Sequence, residues 1–285
     1  MSKVAIVTDS TAYLPSELVK QYQITVLPLS IIWEGKSYRD GIDIQPEEFY
    51  QRLQKAGSMP TTSQITTPAM QSAFSALLEQ GYDVLGIFLS SKFSGTMQSA
   101  EQARQMIPGV ADKIVVMDSQ FTIMAMGWSV LAAARAASAG EKLASCREIA
   151  ERTRDHSGVY FVVETLEFLR RGGRIGGAQA LLGTVLNIKP LLKMRDGQIE
   201  AVEKIRTKTA ALNRMLELTV EQVGSKTPAR LATAHAKAEA EASALLADVC
   251  AQLNPVESYC RPLTPVVGAH VGPGTVALSY MAGSE

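Results

Sequence analysis

DVLGIFLSSKFSGTMQSAEQARQMIPGVADKIVVMDS, residues 83–119, decides the fold class. DVLGIFLSS is a continuous apolar run that ends in hydroxyls, MQSAEQARQMI has helical spacing, and KIVVMDS is again apolar and β-branched. Strand, polar loop, helix and strand in that order form a βαβ unit, and an apolar strand without alternation is one covered on both faces.

The same alternation extends outward. KVAIVTDS (3–10) reads as a strand and PSELVKQYQ (15–23) as a helix with Pro15 at its start. ITVLPLSIIW (24–33) reads as one strand. QPEEFYQRLQKAG (45–57) and TPAMQSAFSALLEQG (67–81) read as helices closed by Gly57 and Gly81. Downstream come the alanine-rich helix MGWSVLAAARAASAG (126–140), the helix CREIAERTRDH (146–156) and the strand VYFVVE (159–164). The first half is therefore expected to be a parallel sheet flanked by helices, with ligand groups at the strands' carboxyl ends. Thr8–Ser10, Ser90–Ser94 and Asp118–Ser119 occupy those ends.

The second half changes character. TLEFLRRGG and RIGGAQALLGTVL read as short helices, and PLLKM and QIEAVEKIR as a hairpin turning at Asp196-Gly197. TKTAALNRMLELTVEQVG and EAEASALLADVCAQL are helices around the strand ARLATAHA; VESYCRPL is a further strand, and a final apolar stretch lies around TVALSYM. The expectation is α/β overall: an N-terminal domain over 1–157, and an α+β domain with a mixed sheet over 158–285.

Composition excludes several classes. Lys plus Arg and Asp plus Glu number 28 each and aromatics make up 6% of the 285 residues, so nothing favours nucleic acid. Cys146, Cys250 and Cys260 lack CxxC or zinc spacing and read as reduced thiols. No apolar stretch reaches a membrane span, and MSKVAIVTDSTAYLP enters a strand pattern directly with no h-region or small-residue cleavage site, so no leader is expected. A cytoplasmic globular protein without cofactor or metal is expected.

Four motifs carry possible chemistry. SSKFSGT (90–96) lacks the G-x-S-x-G elbow of a nucleophilic serine; its hydroxyls suit either a helix cap or anion binding at a helix start. SMPTTSQITTPAM (58–70) is a solvated linker capped by Thr66 or Thr67, or a second hydroxyl loop in which Thr61 and Thr62 join Ser94 at one polar group. RRGGRIGG (170–177) places three arginines among four glycines: solvated surface, or forks for carboxylate or phosphate with close backbone approach. GPGTVA (272–277) matches a dinucleotide fingerprint formally but has no βαβ unit after it. His270 beside it is the sole histidine in a glycine-rich loop. Met97, Met124, Met126 and Leu181 read as core packing before ligand lining.

Jointly, VTDSTAYLP (7–15), MPTTSQ (59–64), LSSKFSGTMQSA (89–100), VVMDSQ (115–120), ETLEFLRRGGRIGG (164–177), LNIKPLLKMRDGQIEAVEKIR (186–206) and HVGPGT (270–275) resemble the DegV family of bacterial fatty-acid-binding proteins. ITTP after Gln64 and FTIMAMG after DSQ depart from the family pattern. The resemblance implies a two-domain protein that sequesters one long-chain fatty acid such as palmitate, stearate or oleate. It also implies a separate ATP-dependent fatty-acid kinase that receives the acid and makes acyl phosphate. On that resemblance, Thr62 and Ser94 would hydrogen-bond the carboxylate with His270 beside them and Thr61 and Ser91 as neighbours. Arg174 and Arg206 would face the kinase or phosphate. The runner-up is a serine acyl hydrolase or acyltransferase with Ser94 as nucleophile and His270 as base. A regulatory protein holding lipid as filler is the third reading.

Overall fold

The computed structural model describes residues 3–55, 58–110, 112–182 and 188–283. The chain begins β1 (Lys3–Asp9), α1 (Ser16–Gln21), β2 (Thr25–Leu27), β3 (Ser30–Trp33), β4 (Lys36–Arg39), α2 (Pro46–Lys55), β5 (Thr61–Ser63) and α3 (Thr67–Glu79). It continues through β6 (Tyr82–Phe88), α4 (Thr96–Met106), β7 (Ile114–Asp118), α5 (Ile123–Ser138), α6 (Leu143–Asp155), β8 (Ser157–Val162) and α7 (Glu167–Arg171). Then follow β9 (Lys189–Arg195), β10 (Gln198–Ile205), α8 (Lys208–Val223), β11 (Ala229–His235), α9 (Glu239–Leu253), β12 (Glu257–Pro262), α10 (Pro265–Val271) and β13 (Val276–Ala282).

Two compact units form. Among the described residues, one comprises those up to Ser30 together with those of Ser63–Asp155; the other comprises those of Ile31–Thr62 and those from His156 to Gly283. The linear division at 157 misplaces Ile31–Thr62, which lies before it in sequence but packs with the later chain. Pro28 is the physical reason for the departure. It supplies no N–H to a ladder, so the expected single strand over 24–33 is two. β2 stays beside β1, while β3 enters a separate sheet of order β4-β3-β5.

In the first unit the sheet order is β2-β1-β6-β7, all parallel as expected. α5 is buried along nearly its whole length against β1 and α6. Its alanines permit that close approach. Met124 and Met126 are buried core residues there.

In the second unit a mixed six-stranded sheet runs β10-β9-β8-β13-β11-β12, with only β11 and β12 parallel. Asp196 and Gly197 both take positive φ (50° and 78°), the geometry a two-residue hairpin requires. α8 and α9 cover one face through Ala211, Met215, Ala242, Leu245 and Val249 against Leu231, Val276 and Leu278. The helix expected over 174–186 is a 3-10 turn at Gly176–Leu181; residues 183–187 lie outside the described residues, as does Gly57. α10 was not expected: Pro265 opens it and Gly272, at φ 76°, ends it. His270 therefore stands in the last turn of a helix, not in a loop.

Candidate functional site: a threonine–histidine pair

α10 is held from several directions. At its start Asp40 accepts the Thr264 hydroxyl (2.8 Å) and the Val266 amide (3.0 Å). Tyr50 donates to the Leu263 carbonyl at 3.2 Å, and its phenol lies against Gly268, where a Cβ would stand 2.3 Å from the oxygen. At the far end Thr275 donates to the carbonyls of Val271 and Gly272 (3.0 and 2.9 Å). Gly272 packs under Phe168, 2.4 Å from where a Cβ would be. Sequence reasoning missed Asp40 and Tyr50, because both act on residues more than 200 positions away.

The pair sits on this support. Thr62 Oγ1 and His270 Nε2 are 2.8 Å apart. His270 Nδ1 is buried with no hydrogen-bond partner among the described residues and faces Gly172, where a Cβ would stand 2.2 Å away. A proton on that nitrogen would be an orphaned donor, at a cost of about 1–3 kcal/mol. A bare lone pair against the glycine Cα–H is cheaper. The proton therefore belongs on Nε2, donated to Thr62, which leaves the Thr62 hydroxyl hydrogen available to an external acceptor. Burial first, and then the nearby Arg174 charge, push the His270 pKa down to about 4. The imidazole is neutral at physiological pH.

Arg174 donates to the Gly172 carbonyl at 2.5 Å and so fixes the loop that covers His270. Burial lowers its own pKa. Arg170 and Arg171 are exposed and both pair with Glu167. RRGGRIGG thus divides: the first two arginines face solvent, and Gly172 and Arg174 shape the histidine's surroundings. Arg206 is exposed at the end of β10. Thr61 is exposed beside Thr62.

The other hydroxyl motif belongs to the first unit and is wired locally. Ser94 Oγ accepts the Thr96 amide (3.2 Å) and lies 3.0 Å from Thr96 Oγ1, in front of α4. Ser91 is exposed, and its amide donates to Asp118 at 3.2 Å. Asp9 accepts from Thr11 and from the Leu89 amide, tying the ends of β1 and β6 together. Gln64 donates to Ser99 at 2.9 Å, and its amide covers Gly95. The structure brings Thr62, His270 and Arg174 together in one unit; Ser94 and Ser91 lie in the other.

Among the described residues no carboxylate orients the His270 ring: Nε2 is engaged by a threonine and Nδ1 has no hydrogen-bond partner. Among the described residues no three His, Cys, Asp or Glu side chains cluster to hold a metal, and no helix is long and apolar enough to cross a membrane.

A family model described as "Uncharacterised protein, DegV family" matches residues 3–283. The chain belongs to the DegV family. A DegV domain-containing protein of Listeria monocytogenes is 39% identical, covering 98% of both chains. Among solved DegV structures, the fatty-acid-binding protein of Thermus thermophilus superposes with a TM-score of 0.93 at 36% identity, covering 98% of this chain and 99% of that one. DegV of Bacillus subtilis, described as a fatty-acid-binding protein, gives 0.90 at 34% identity over 99% of this chain and all of its own. The α/β fold expected from the sequence is that of these DegV structures.

Proposed function

We propose that this chain binds one long-chain fatty acid, of the size of palmitate, stearate or oleate, and presents its carboxylate to a separate ATP-dependent kinase that forms acyl phosphate. The observation that carries the reading is the half-buried Thr62–His270 pair. It offers a hydroxyl donor backed by a neutral imidazole, and so holds a carboxylate without a tight ion pair that would blunt its nucleophilicity. The names of the structural relatives support the same ligand class. Each buried methylene is worth about 0.8 kcal/mol, so a tail of roughly 14 to 17 carbons supplies on the order of 10 kcal/mol. A hydrogen bond to a charged group adds only about 1.5–3 kcal/mol. The tail gives affinity and the hydroxyls give position.

Thr62 and His270, with Thr61 adjacent, are the head-group residues of the second unit in this reading. Ser94 and Ser91 enter it through their motif alone. Exposed Arg206 and the half-buried Arg174 are assigned to the kinase or the nascent phosphate. In this reading the chain acts in the cytoplasm, carries no cofactor and is not itself an enzyme.

The deciding experiment is organic extraction of the purified protein with mass analysis of the extract, followed by a kinase-coupled assay. One equivalent of a long-chain acid that is converted to acyl phosphate supports the reading. A protein that takes up no fatty acid sinks it. A bound acid that no kinase accepts leaves a lipid-stabilised regulatory protein in its place. Arg206→Ala should keep lipid binding and weaken the kinase-coupled rate; loss of lipid binding would remove Arg206 from that role.

A further inference from the structure

The Ile31–Thr62 segment leaves the first unit only to return to it at Ser63, and its contacts on α10 suggest what it is for. Three of its side chains reach the same short stretch of later chain. Asp40 holds Thr264 and Val266 at the start of α10, Tyr50 holds Leu263 and packs on Gly268, and Thr62 meets His270 in the last turn. A seven-residue helix has too few internal hydrogen bonds to fix its own position. Where it lies along its axis is set from outside. Asp40 is 2% exposed, and each of its carboxylate oxygens accepts a hydrogen bond from this helix start.

We infer that Asp40 is a positioning residue for the head-group pair: by clamping the start of α10 it sets the register in which His270 Nε2 meets Thr62. The inference rests on the proposed role of that pair in holding a carboxylate. The charged group facing the imidazole is Arg174, on the loop after α7. From α10's other contacts come the Tyr50 phenol and the Asp40 carboxylate at the opposite end. Loss of the clamp lets the helix shift and water reach the ring, so the imidazole regains part of its ordinary basicity.

The test uses the full chain and oleate as probe, with Asp40→Ala and Asp40→Asn. Thr207→Ala serves as a control that removes an equivalent cap, from α8 in the same unit. Asn keeps one oxygen to accept the Val266 amide and turns an N–H2 donor toward the Thr264 hydroxyl oxygen, whereas Ala offers neither. Asp40→Ala should weaken oleate binding on the order of tenfold and raise the His270 titration midpoint seen by NMR. Asp40→Asn should restore both. Thr207→Ala should lower thermal stability while leaving both unchanged. If Asp40→Ala does not fold, Thr264→Val removes one of the two clamp bonds and should shift both readouts in the same direction. A folded Asp40→Ala, or Thr264→Val in its place, whose oleate affinity and His270 titration match wild type overturns the inference. Thr207→Ala moving both readouts equally also overturns it, since the effect would then be general loosening. A wild-type protein that binds no oleate, with the His270 midpoint still moved by Asp40→Ala, would sink the carboxylate reading and leave the clamp standing.

Discussion

Gly172 lies directly against the imidazole of His270, so close that a Cβ at position 172 would stand 2.2 Å from Nδ1 and 3.0 Å from Cε1. Its φ is −72°, so any residue fits the backbone there, and the glycine answers to space rather than conformation. Gly172→Ala must therefore push the ring. Thr62, Tyr50 and Phe168 pack or bond around α10 and its end, leaving the ring little room to retreat. We expect a stability loss of about 1–3 kcal/mol, as for overpacked cores. Fatty-acid affinity should fall with it, because the Thr62–His270 bond breaks. Equilibrium urea unfolding together with calorimetric titration of a long-chain acid checks both. Wild-type values in both would show that the ring moves freely.

The low His270 pKa makes stability depend on pH in a defined window. Its folded value is about 4 against an ordinary 6.5, so the unfolded chain binds more protons between those limits. Stability from keeping this imidazole neutral is fully present above about pH 6.5 and is lost as pH falls toward 4. The amplitude is on the order of 3 kcal/mol. Burial holds His235 below its ordinary value too, with the same sign. Asp43 and Glu167, both held near 2 by arginine partners, act only at lower pH. His270→Gln keeps an N–H donor for Thr62 and removes the titration. Urea midpoints measured from pH 7 to pH 4 should fall less steeply in that variant than in wild type; equal slopes would refute the assignment.

Arg174 supplies the second cause of that low pKa. Removing its charge with Arg174→Ala should move the His270 midpoint up from about 4 toward its ordinary 6.5. It also frees the Gly172 carbonyl, so lipid affinity should fall along with any effect on the kinase. Arg206, exposed at the strand end, carries no such double role. NMR titration of the His270 ring in the two variants separates them: Arg206→Ala should leave the midpoint in place.

The parallel sheet, the mixed sheet and the Asp196-Gly197 turn were legible because local pattern dictates them: continuous apolar strands, helical spacing, a two-residue turn. Thr62, His270 and Arg174 were legible as residues through motif resemblance, and no spacing rule could have shown them touching. Pro28 carried the warning of the chain's departure to a second sheet, but within an apolar run it reads equally as an edge-strand proline. Asp40 and Tyr50 had no sequence signal at all. An acidic residue before a glycine and a tyrosine in an amphipathic helix look ordinary until the chain segment they hold, two hundred residues on, is folded against them. α10 was hidden for a related reason: seven residues with two glycines nearby have weak helical propensity, and external clamps supply what propensity lacks.

Gly95 gives the converse of Gly172. A Cβ there would stand 2.1 Å from Gln64 Oε1, an even closer approach, yet the obstacle is the end of a long and exposed side chain. Gly95 precedes α4 at φ −74°, which alanine adopts without strain. Gly95→Ala should therefore displace the Gln64 amide, break its 2.9 Å bond to Ser99 and cost no more than about 1 kcal/mol. Gln64→Ala should cost about the same, and the double variant should cost less than the sum, because each change removes the same bond. Urea unfolding of the three variants measures this directly. A Gly95→Ala loss comparable to that of Gly172→Ala would mean that Gln64 is fixed as firmly as the histidine, and the hydroxyl loop would then be a rigid element rather than one closed by a movable amide.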